Sequence, residues 1–144
     1  MQWSLKLLIE YGVIGFLIFL SVLVVAFSLE RMKRYQQIDL SRFETREDWE
    51  IELTKNLTII YTVAANAVYV GLLGTVLGIM LTFSTMGEGG IIDAKTIMSS
   101  LSYTLIATAV GLVVAIPAMT LYNMLSRKVE VILARWDARY GRKA

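Results

Sequence analysis

The sequence of 144 residues contains no cysteine and no histidine. The absence of cysteine excludes a disulfide framework and a thiolate metal site, and the absence of histidine removes the commonest general base and the commonest metal ligand. Most enzyme chemistry is therefore disfavoured, and no combination of nucleophile, base and metal ligands stands out elsewhere in the chain. We expect no catalytic residues, no metal site and no cofactor.

Charged residues and proline are also scarce. Charged side chains make up 18% of the sequence and there is one proline, whereas hydrophobic side chains make up 56%. A typical soluble domain has about 25% charged residues and lacks long uncharged runs. The composition therefore predicts an integral membrane protein that lies in a lipid bilayer, with no nucleic-acid partner.

Three uncharged segments are long enough to cross a bilayer as helices. The first, Tyr11 to Leu29, has 19 residues, which suffices for about 30 Å of hydrocarbon at roughly 1.5 Å per residue. It ends in a basic stop-transfer cluster and lacks a small-residue cleavage site, so we predict a retained span rather than a signal peptide. The second and third segments begin at Asn56 and Thr96 and each continue for about thirty uncharged residues.

The basic residues are distributed unevenly about these segments. Six Lys and Arg residues lie between spans one and two and six follow span three, against one before span one and one between spans two and three. The positive-inside rule places the two basic regions in the cytoplasm. The N-terminus and the glycine-rich turn, Gly87 to Gly90, are then predicted to lie on the opposite side.

Spans two and three are longer than a bilayer requires, since about 31 residues of helix measure roughly 46 Å. The segment after span three has the pattern of an amphipathic helix, because its apolar residues share one face while Arg127, Glu130 and Arg135 lie elsewhere. That apolar face consists of Leu125, Val129, Ile132, Leu133 and Trp136. We predict an all-α fold of three transmembrane helices, with helices two and three extended into a cytoplasmic helical bundle.

These observations divide the chain into six parts. Residues before span one mix apolar side chains with Lys6 and Glu10, which is typical of a short interfacial helix. The predicted order is an interfacial helix (1–10), span one (11–29), a cytoplasmic loop or helix (30–55), span two with its extension (56–86), a turn (87–95) and span three with its extension (96–140).

Small and hydroxyl-bearing residues form one stripe on each of helices two and three. Counting inward from Met86 and from Thr96 puts Thr75 and Thr108 roughly 16 to 18 Å deep, near the bilayer midplane. We therefore predict that these two threonines share a level. The stripe of helix two holds Ala67, Gly71, Gly74, Thr75, Gly78, Thr82 and Thr85, and that of helix three holds Ser100, Thr104, Thr108, Gly111 and Ala115.

The stripes have two interpretations that spacing does not separate. Small residues allow helices to pack closely, Gly74 and Gly78 form a G-x-x-x-G pair, and a Thr hydroxyl bonds readily to the i−4 carbonyl of its own helix. Alternatively, the hydroxyls line a water-containing path or face a polar group of another chain. Both interpretations are open at this point.

Two blocks of sequence resemble a known family. The stretch from Ala67 to Phe83, AVYVGLLGTVLGIMLTF, and the stretch from Leu105 to Asn123, LIATAVGLVVAIPAMTLYN, are similar to the second and third transmembrane helices of the ExbB/TolQ/MotA proton-channel family. The ExbB and TolQ branch is the most similar, because it also has three spans with the N-terminus outside and the C-terminus inside. Two blocks in the correct order are more specific than a single short motif.

The resemblance implies a non-enzymatic motor subunit in the bacterial inner membrane, with a periplasmic N-terminus. Such proteins form homo-oligomers, pentamers in the family's pattern, whose helices two and three surround a single-span partner, ExbD or TolR. Proton flow drives relative movement of the subunits, which the partner passes on to TonB or TolA. An ExbB-like role in TonB-dependent transport is the first expectation; a TolQ-like role in the Tol-Pal system and a scaffold that only assembles the partner are the alternatives.

Roles can now be predicted for individual residues, and the resemblance gives those of two threonines. Thr75 and Thr108 match the two pore threonines of the family. The expected ion-pathway residues are Thr75, Thr108, Thr104, Ser100 and Thr82; the expected packing residues are Gly71, Gly74, Gly78 and Gly111; and Pro117 and Asn123 are a candidate hinge and a candidate cytoplasmic mouth.

The sequence departs from the family where an acid would be expected. The family's usual glutamate falls on Tyr103, which we interpret as a packing or interfacial residue, and the three predicted spans contain no Asp or Glu. Proton conduction at the midplane ordinarily needs a titratable group or a water chain. If protons move through this protein, the single-span partner is therefore expected to supply the membrane aspartate.

Overall fold

Four α-helices make up the part of the chain that the structure describes. The computed structural model describes residues 2–39, 45–89 and 93–140, and its helices are α1 (Gln2–Gln36), α2 (Arg46–Leu53), α3 (Leu57–Gly89) and α4 (Ala94–Tyr140). The predicted all-α fold is confirmed over these residues. The three long helices α1, α3 and α4 are each long and apolar enough to cross a membrane, as predicted.

The three long helices pack side by side, with α3 antiparallel to both α1 and α4. Val13 of α1 approaches Gly74 of α3, and farther along α1 the side chain of Tyr35 bonds to Leu53, shortly before α3 begins. We call the end of the molecule that holds residues 30–39, 45–57 and 120–140 the charged end. The opposite end, where α3 ends and α4 begins, is called the turn end.

The lengths of α3 and α4 exceed what a bilayer needs. With 33 and 47 residues, they measure roughly 50 and 70 Å, against about 30 Å of hydrocarbon. The predicted boundaries were 56–86 and 96–140. The observed helices continue three residues further at the turn end of α3 and begin two residues earlier in α4, where the Asp93 side chain accepts a bond from the Lys95 backbone amide at 3.2 Å.

The predicted apolar face of the tail is buried at the charged end. Leu125, Val129, Leu133 and Trp136 are all buried, and Ile132 is partly buried against the same cluster. Because residues on this face recur every three or four positions, one side of α4 meets the other helices while its charged side chains stay in solvent. The continuation of helix three as an amphipathic helix is therefore confirmed.

The short helix α2 closes the charged end. Its first turn is capped by Thr45, whose hydroxyl accepts a bond from the Asp48 amide at 3.2 Å, and it buries Trp49 and Leu53 on the side that faces the other helices. Asn56 then adopts a left-handed conformation, φ 68°, which asparagine tolerates better than most residues, and so turns the chain into α3.

Buried polar groups of α1 hold this connection in place. Arg31 is buried and donates to the backbone oxygen of Glu52 at 2.9 Å, while its other terminal nitrogen meets the Glu30 carboxylate at 2.6 Å. The hydroxyl of Tyr35 donates to the backbone oxygen of Leu53 at 2.5 Å. These bonds satisfy carbonyls at the end of α2, where a helix has no partners of its own.

The first ten residues differ from the sequence-based prediction. They were expected to form a separate interfacial helix, but Gln2 to Gln36 is one continuous helix in the structure. No proline or strained residue interrupts the backbone near Tyr11. Lys6 lines a cavity between the turn-end halves of α3 and α4, so the start of α1 packs beside them.

Candidate functional site

The two small-residue stripes face each other along the contact between α3 and α4, which we call the seam. Gly71 and Gly111 lie where the two backbones are closest. A Cβ added to Gly71 would lie 2.6 Å from the backbone oxygen of Ala107, and one added to Gly111 would lie 2.8 Å from that of Ala67. Only glycine allows backbones to approach this closely, so the packing interpretation describes this part of the seam.

The other two predicted packing glycines also lie in tight contacts. A Cβ on Gly78 would lie 2.5 Å from Cγ2 of Thr104, so this glycine makes room for a side chain of the seam. A Cβ on Gly74 would lie 2.9 Å from a methyl group of Val13, so this glycine makes room for α1. The structure thus places all four glycines at helix contacts along the seam, and Gly74, whose added Cβ would also lie 3.0 Å from Cβ of Ala107, contacts α1 as well.

Thr75 and Thr108 meet in the middle of the seam. Their hydroxyl oxygens are 2.5 Å apart, which confirms the prediction that the two residues share a level. Thr75 Oγ1 also lies 3.2 Å from the backbone oxygen of Thr104 and 3.3 Å from that of Gly71, while Thr108 Oγ1 lies 3.4 Å from the same Gly71 oxygen. Both hydroxyls are therefore surrounded by oxygen acceptors.

The two threonines differ in exposure. Thr75 is 7% exposed and enclosed by the helices, whereas Thr108 is partly exposed. A hydroxyl has one proton to donate and two lone pairs to accept with. One threonine can therefore donate to the other while the second donates to a carbonyl, and Thr108 still has accepting capacity toward the outside of the seam. The pair can present a polar group to another molecule without leaving either hydroxyl proton unbonded.

The remaining predicted pathway residues continue from this pair toward the turn end. Thr104 is buried and donates to the backbone oxygen of Ser100 at 2.9 Å, and Thr82 donates to that of Gly78 at 2.9 Å. Ser100 and Thr82 line a cavity of about 120 Å³. A cavity of this size can hold ordered water, since one water needs only about 10 to 15 Å³ of this type of volume.

The residues predicted at the charged half of α4 lie away from the seam. Pro117 is exposed within α4, and Asn123 is exposed and makes no hydrogen bond to another described residue. Among the described residues, Asn123 therefore forms no hydrogen bond between helices. Tyr103 is 60% exposed and points away from the helix packing. Their roles as hinge, mouth and interfacial residue stay predictions.

Two ionisable residues near the seam were not recognised from the sequence. Lys6 lines the same cavity as Ser100 and Thr82, and Glu10 follows one turn later in α1. The prediction counted acids only within residues 11–29 of span one, because the uncharged run begins there. The structure extends α1 to Gln2, so Glu10 belongs to the same helix as span one although it lies outside the predicted span.

Comparison with known proteins gives consistent results. A sequence model of the MotA/TolQ/ExbB proton channel family matches residues 20–138. The chain is 50% identical over 141 residues to the biopolymer transport protein ExbB of Aquifex aeolicus, covering 98% of this chain and 95% of that protein. It is 52% identical over 112 residues to ExbB of Helicobacter pylori, covering 78% and 77%.

A relative from the Tol-Pal system is more distant. The chain is 34% identical over 108 residues to the Tol-Pal system protein TolQ of Pseudomonas aeruginosa. The match covers 75% of this chain but 44% of that protein. The similarity to TolQ is therefore confined to part of that longer chain, whereas the similarity to ExbB of Aquifex aeolicus extends over nearly all of both.

Proposed function

Because this chain belongs to the MotA/TolQ/ExbB proton channel family, we propose that it is an ExbB-like motor subunit. In this role it uses the proton motive force, together with an ExbD-like single-span protein, to energise TonB-dependent outer-membrane transport. The near-complete match to ExbB of Aquifex aeolicus supports the ExbB-like role over a TolQ-like one.

The hydroxyl pair of Thr75 and Thr108 is the observation that carries this proposal. The two oxygens are 2.5 Å apart within the packing of the three helices, and Thr108 is the member that reaches the surface. A polar group at membrane depth is costly unless it is bonded, so such groups generally mark a functional path. Here Thr108 would hydrogen-bond the group that carries the proton, and Thr75 would hold Thr108 in position.

The carrier itself is proposed to be an aspartate of the partner. The seam is formed by the two small-residue stripes, and none of their residues ionises near neutral pH. A charged carboxylate brought next to Thr108 would accept the Thr108 hydroxyl proton, while Thr75 donates to Thr108. It would need water as well, because one hydroxyl does not replace the hydration of a charge. The threonine pair would then supply the polar surroundings in which that acid gains and loses its proton.

The assembly and its orientation are part of the same proposal. Several copies of this chain, a pentamer in the family's pattern, would place their α3 and α4 helices around the partner, in the bacterial inner membrane. The charged end would lie in the cytoplasm, because it holds the two basic regions of the sequence. The partly exposed Thr108 would then face the partner at the centre.

Substitution of the two threonines tests the proposal. Thr75→Val and Thr108→Val keep the shape of the side chain but remove the hydroxyl, so both variants should assemble with the partner and lose proton-driven work. The measurement is proton uptake into liposomes that contain the purified complex, read with a pH-sensitive dye. Thr108→Ser, which keeps the hydroxyl, should retain uptake.

A matched control is available on the same helix. Thr120 is exposed and bonds only to the backbone oxygen of Ile116, at 2.9 Å, so Thr120→Val should leave uptake unchanged. Full uptake by complexes of both Thr75→Val and Thr108→Val would show that the hydroxyl pair has no part in conduction.

The scaffold alternative is favoured by the glycine contacts. If the seam only assembles and stabilises the partner, bulky replacements of Gly74 or Gly78 would abolish complex formation while the valine variants would be silent. Co-purification of the partner, measured beside proton uptake on the same samples, separates the two roles. Valine variants that lose uptake but retain the partner support the conducting role. Valine variants that keep both, together with glycine variants that lose the partner, support the scaffold.

A further inference from the structure

Glu10 lies on the face of α1 that packs against the other helices. The buried residues of this face include Leu17 and Val24, and Val13 contacts Gly74 of α3. Counting back from Leu17 by four, three and four positions gives Val13, Glu10 and Lys6, which is the spacing of one helical face. Glu10 is therefore directed toward α3 and α4, and its side chain is only partly exposed.

The level of Glu10 in the molecule follows from its neighbours on this face. Val13 meets Gly74, the residue next to Thr75, and Glu10 lies three residues from Val13, or about 4.5 Å along the helix. On the other side, Lys6 lines the hydroxyl-bearing cavity near the turn end. Glu10 thus lies between the threonine pair and this cavity, within the length of the three helices that can span a membrane.

One oxygen of this carboxyl group is fully buried. Oε1 of Glu10 is inaccessible to solvent and has no hydrogen-bond partner among the residues that the structure describes. A buried oxygen without a hydrogen-bond partner is costly, and a donor brought to that oxygen removes the cost. Buried acids at membrane depth are expensive and generally functional.

Among the described residues, the polar groups in this part of the molecule are Lys6 and the hydroxyls of the neighbouring cavity. Lys6 is the charged group on its own helix, one turn away, and no ion pair joins the two among the described contacts. From α3 and α4, the polar residues that line the neighbouring cavity are Thr82, Thr85, Thr96 and Ser100, which carry hydroxyls but do not ionise near neutral pH. Tyr103 of α4 is 60% exposed and lies outside this packing.

We propose that Glu10 is a proton-binding site of this chain, and that the cavity lined by Lys6, Thr82, Thr85, Thr96 and Ser100 is its route of access from the turn end. A proton passes from water in the cavity to a carboxylate oxygen of Glu10 and is released by the same route or toward the threonine pair. This inference deepens the proposed function, on which its role in transport rests, whereas proton binding by Glu10 does not depend on that function.

Chemical labelling tests proton binding directly. A hydrophobic carbodiimide adds to a protonated carboxyl group inside a membrane and leaves a stable acylurea, which mass spectrometry assigns to a residue. In the assembled complex in lipid nanodiscs, we expect an adduct on Glu10 that becomes weaker as the pH is raised and is absent from Glu10→Gln. Glu47, exposed in the first turn of α2, should instead react with a water-soluble carbodiimide.

Proton uptake into liposomes tests the role in transport. Glu10→Gln should lose uptake relative to the unchanged protein, Glu10→Asp should retain part of it, and Glu47→Gln should match the unchanged protein. Absence of the Glu10 adduct at every pH, in samples where the Glu47 reaction succeeds, overturns proton binding. Full uptake by Glu10→Gln overturns the role in transport.

The two proposals fail in distinguishable ways. If the unchanged complex conducts no protons, the proposed function is wrong, and the Glu10 adduct still decides whether this acid binds a proton. If the threonine variants lose uptake while Glu10→Gln keeps it, the proposed function stands and the site at Glu10 has no part in it.

Discussion

Substitution of Gly71 by alanine tests how closely α3 and α4 must approach. The added Cβ would lie 2.6 Å from the backbone oxygen of Ala107, 3.1 Å from Cα of Thr108 and 3.2 Å from Cα of Gly111. All three are backbone atoms, so no side chain can rotate away to make room. The two helices would have to separate at the level of the threonine pair.

The size of the effect can be estimated by comparison with a second glycine. Overpacking a tight contact costs about 1 to 3 kcal/mol, while replacing glycine by alanine within a helix contributes up to about 1 kcal/mol of stability through helix propensity. Gly15 in α1 has nothing within 4 Å of its added Cβ. Subtracting the effect of Gly15→Ala from that of Gly71→Ala cancels the propensity, so the packing cost of about 1 to 3 kcal/mol remains.

The assay is the free energy of unfolding of the purified chain, obtained by titration from mild detergent into SDS and followed by circular dichroism. Gly71→Ala should be less stable than the unchanged protein, and Gly15→Ala should be as stable or more so. Gly111→Ala should resemble Gly71→Ala, because its Cβ would lie 2.8 Å from the backbone oxygen of Ala67. Combining the two should cost less than the sum, since one separation of the helices makes room for both methyl groups.

Equal stabilities for Gly71→Ala and Gly15→Ala would refute the reasoning, because the packing cost would then be absent. Fully additive costs at Gly71 and Gly111 would also contradict it, since the two sites would not share one helix contact. A large loss for Gly15→Ala would show that this face of α1 is covered by another copy of the chain or by a partner.

Two further predictions concern the charged end. Trp136 is buried there, so Trp136→Ala should lower the free energy of unfolding by about 3 to 5 kcal/mol. Met124 lies on the exposed side of α4, so Met124→Ala should change that free energy little. Similar values for both variants would mean that the packing at this end adds no stability. The Tyr35 hydroxyl bonds to the backbone oxygen of Leu53, so Tyr35→Phe should lower the free energy of unfolding by about 1 to 3 kcal/mol. The ring of Tyr69 is exposed, so Tyr69→Phe should not lower it. Equal thermal stabilities of the two variants would count against the bond.

Much of the fold could be predicted because lipid imposes simple rules on sequence. Uncharged length identifies the spans, since every backbone group must be bonded inside a helix there. The buried face of the tail followed from its spacing, and the common level of Thr75 and Thr108 followed from counting residues along two antiparallel helices. Each of these predictions needs only the pattern along a single helix or the depth of a residue in the membrane.

What could not be predicted depends on how separate helices align. The register of α1 against α3 is set by the contact of Val13 with Gly74, and nothing in the spacing of either helix indicates that pairing. A charged residue beside an uncharged run was therefore interpreted as its boundary, which placed Lys6 and Glu10 outside the span. Likewise the cavity near the turn end arises only when three helices meet, so the hydroxyls that line it looked like parts of two independent stripes.

Because α4 is long, a small tilt near its middle would move its far end by a large distance. One uninterrupted helix carries both Thr108 in the seam and Trp136 in the packing of the charged end, and the 28 residues between them correspond to roughly 42 Å. A tilt of about 5° around the threonine pair would displace the Trp136 end by nearly 4 Å at this rise per residue. A small change of angle at the threonine pair would thereby become a displacement the size of an atomic contact at the far end of the same helix.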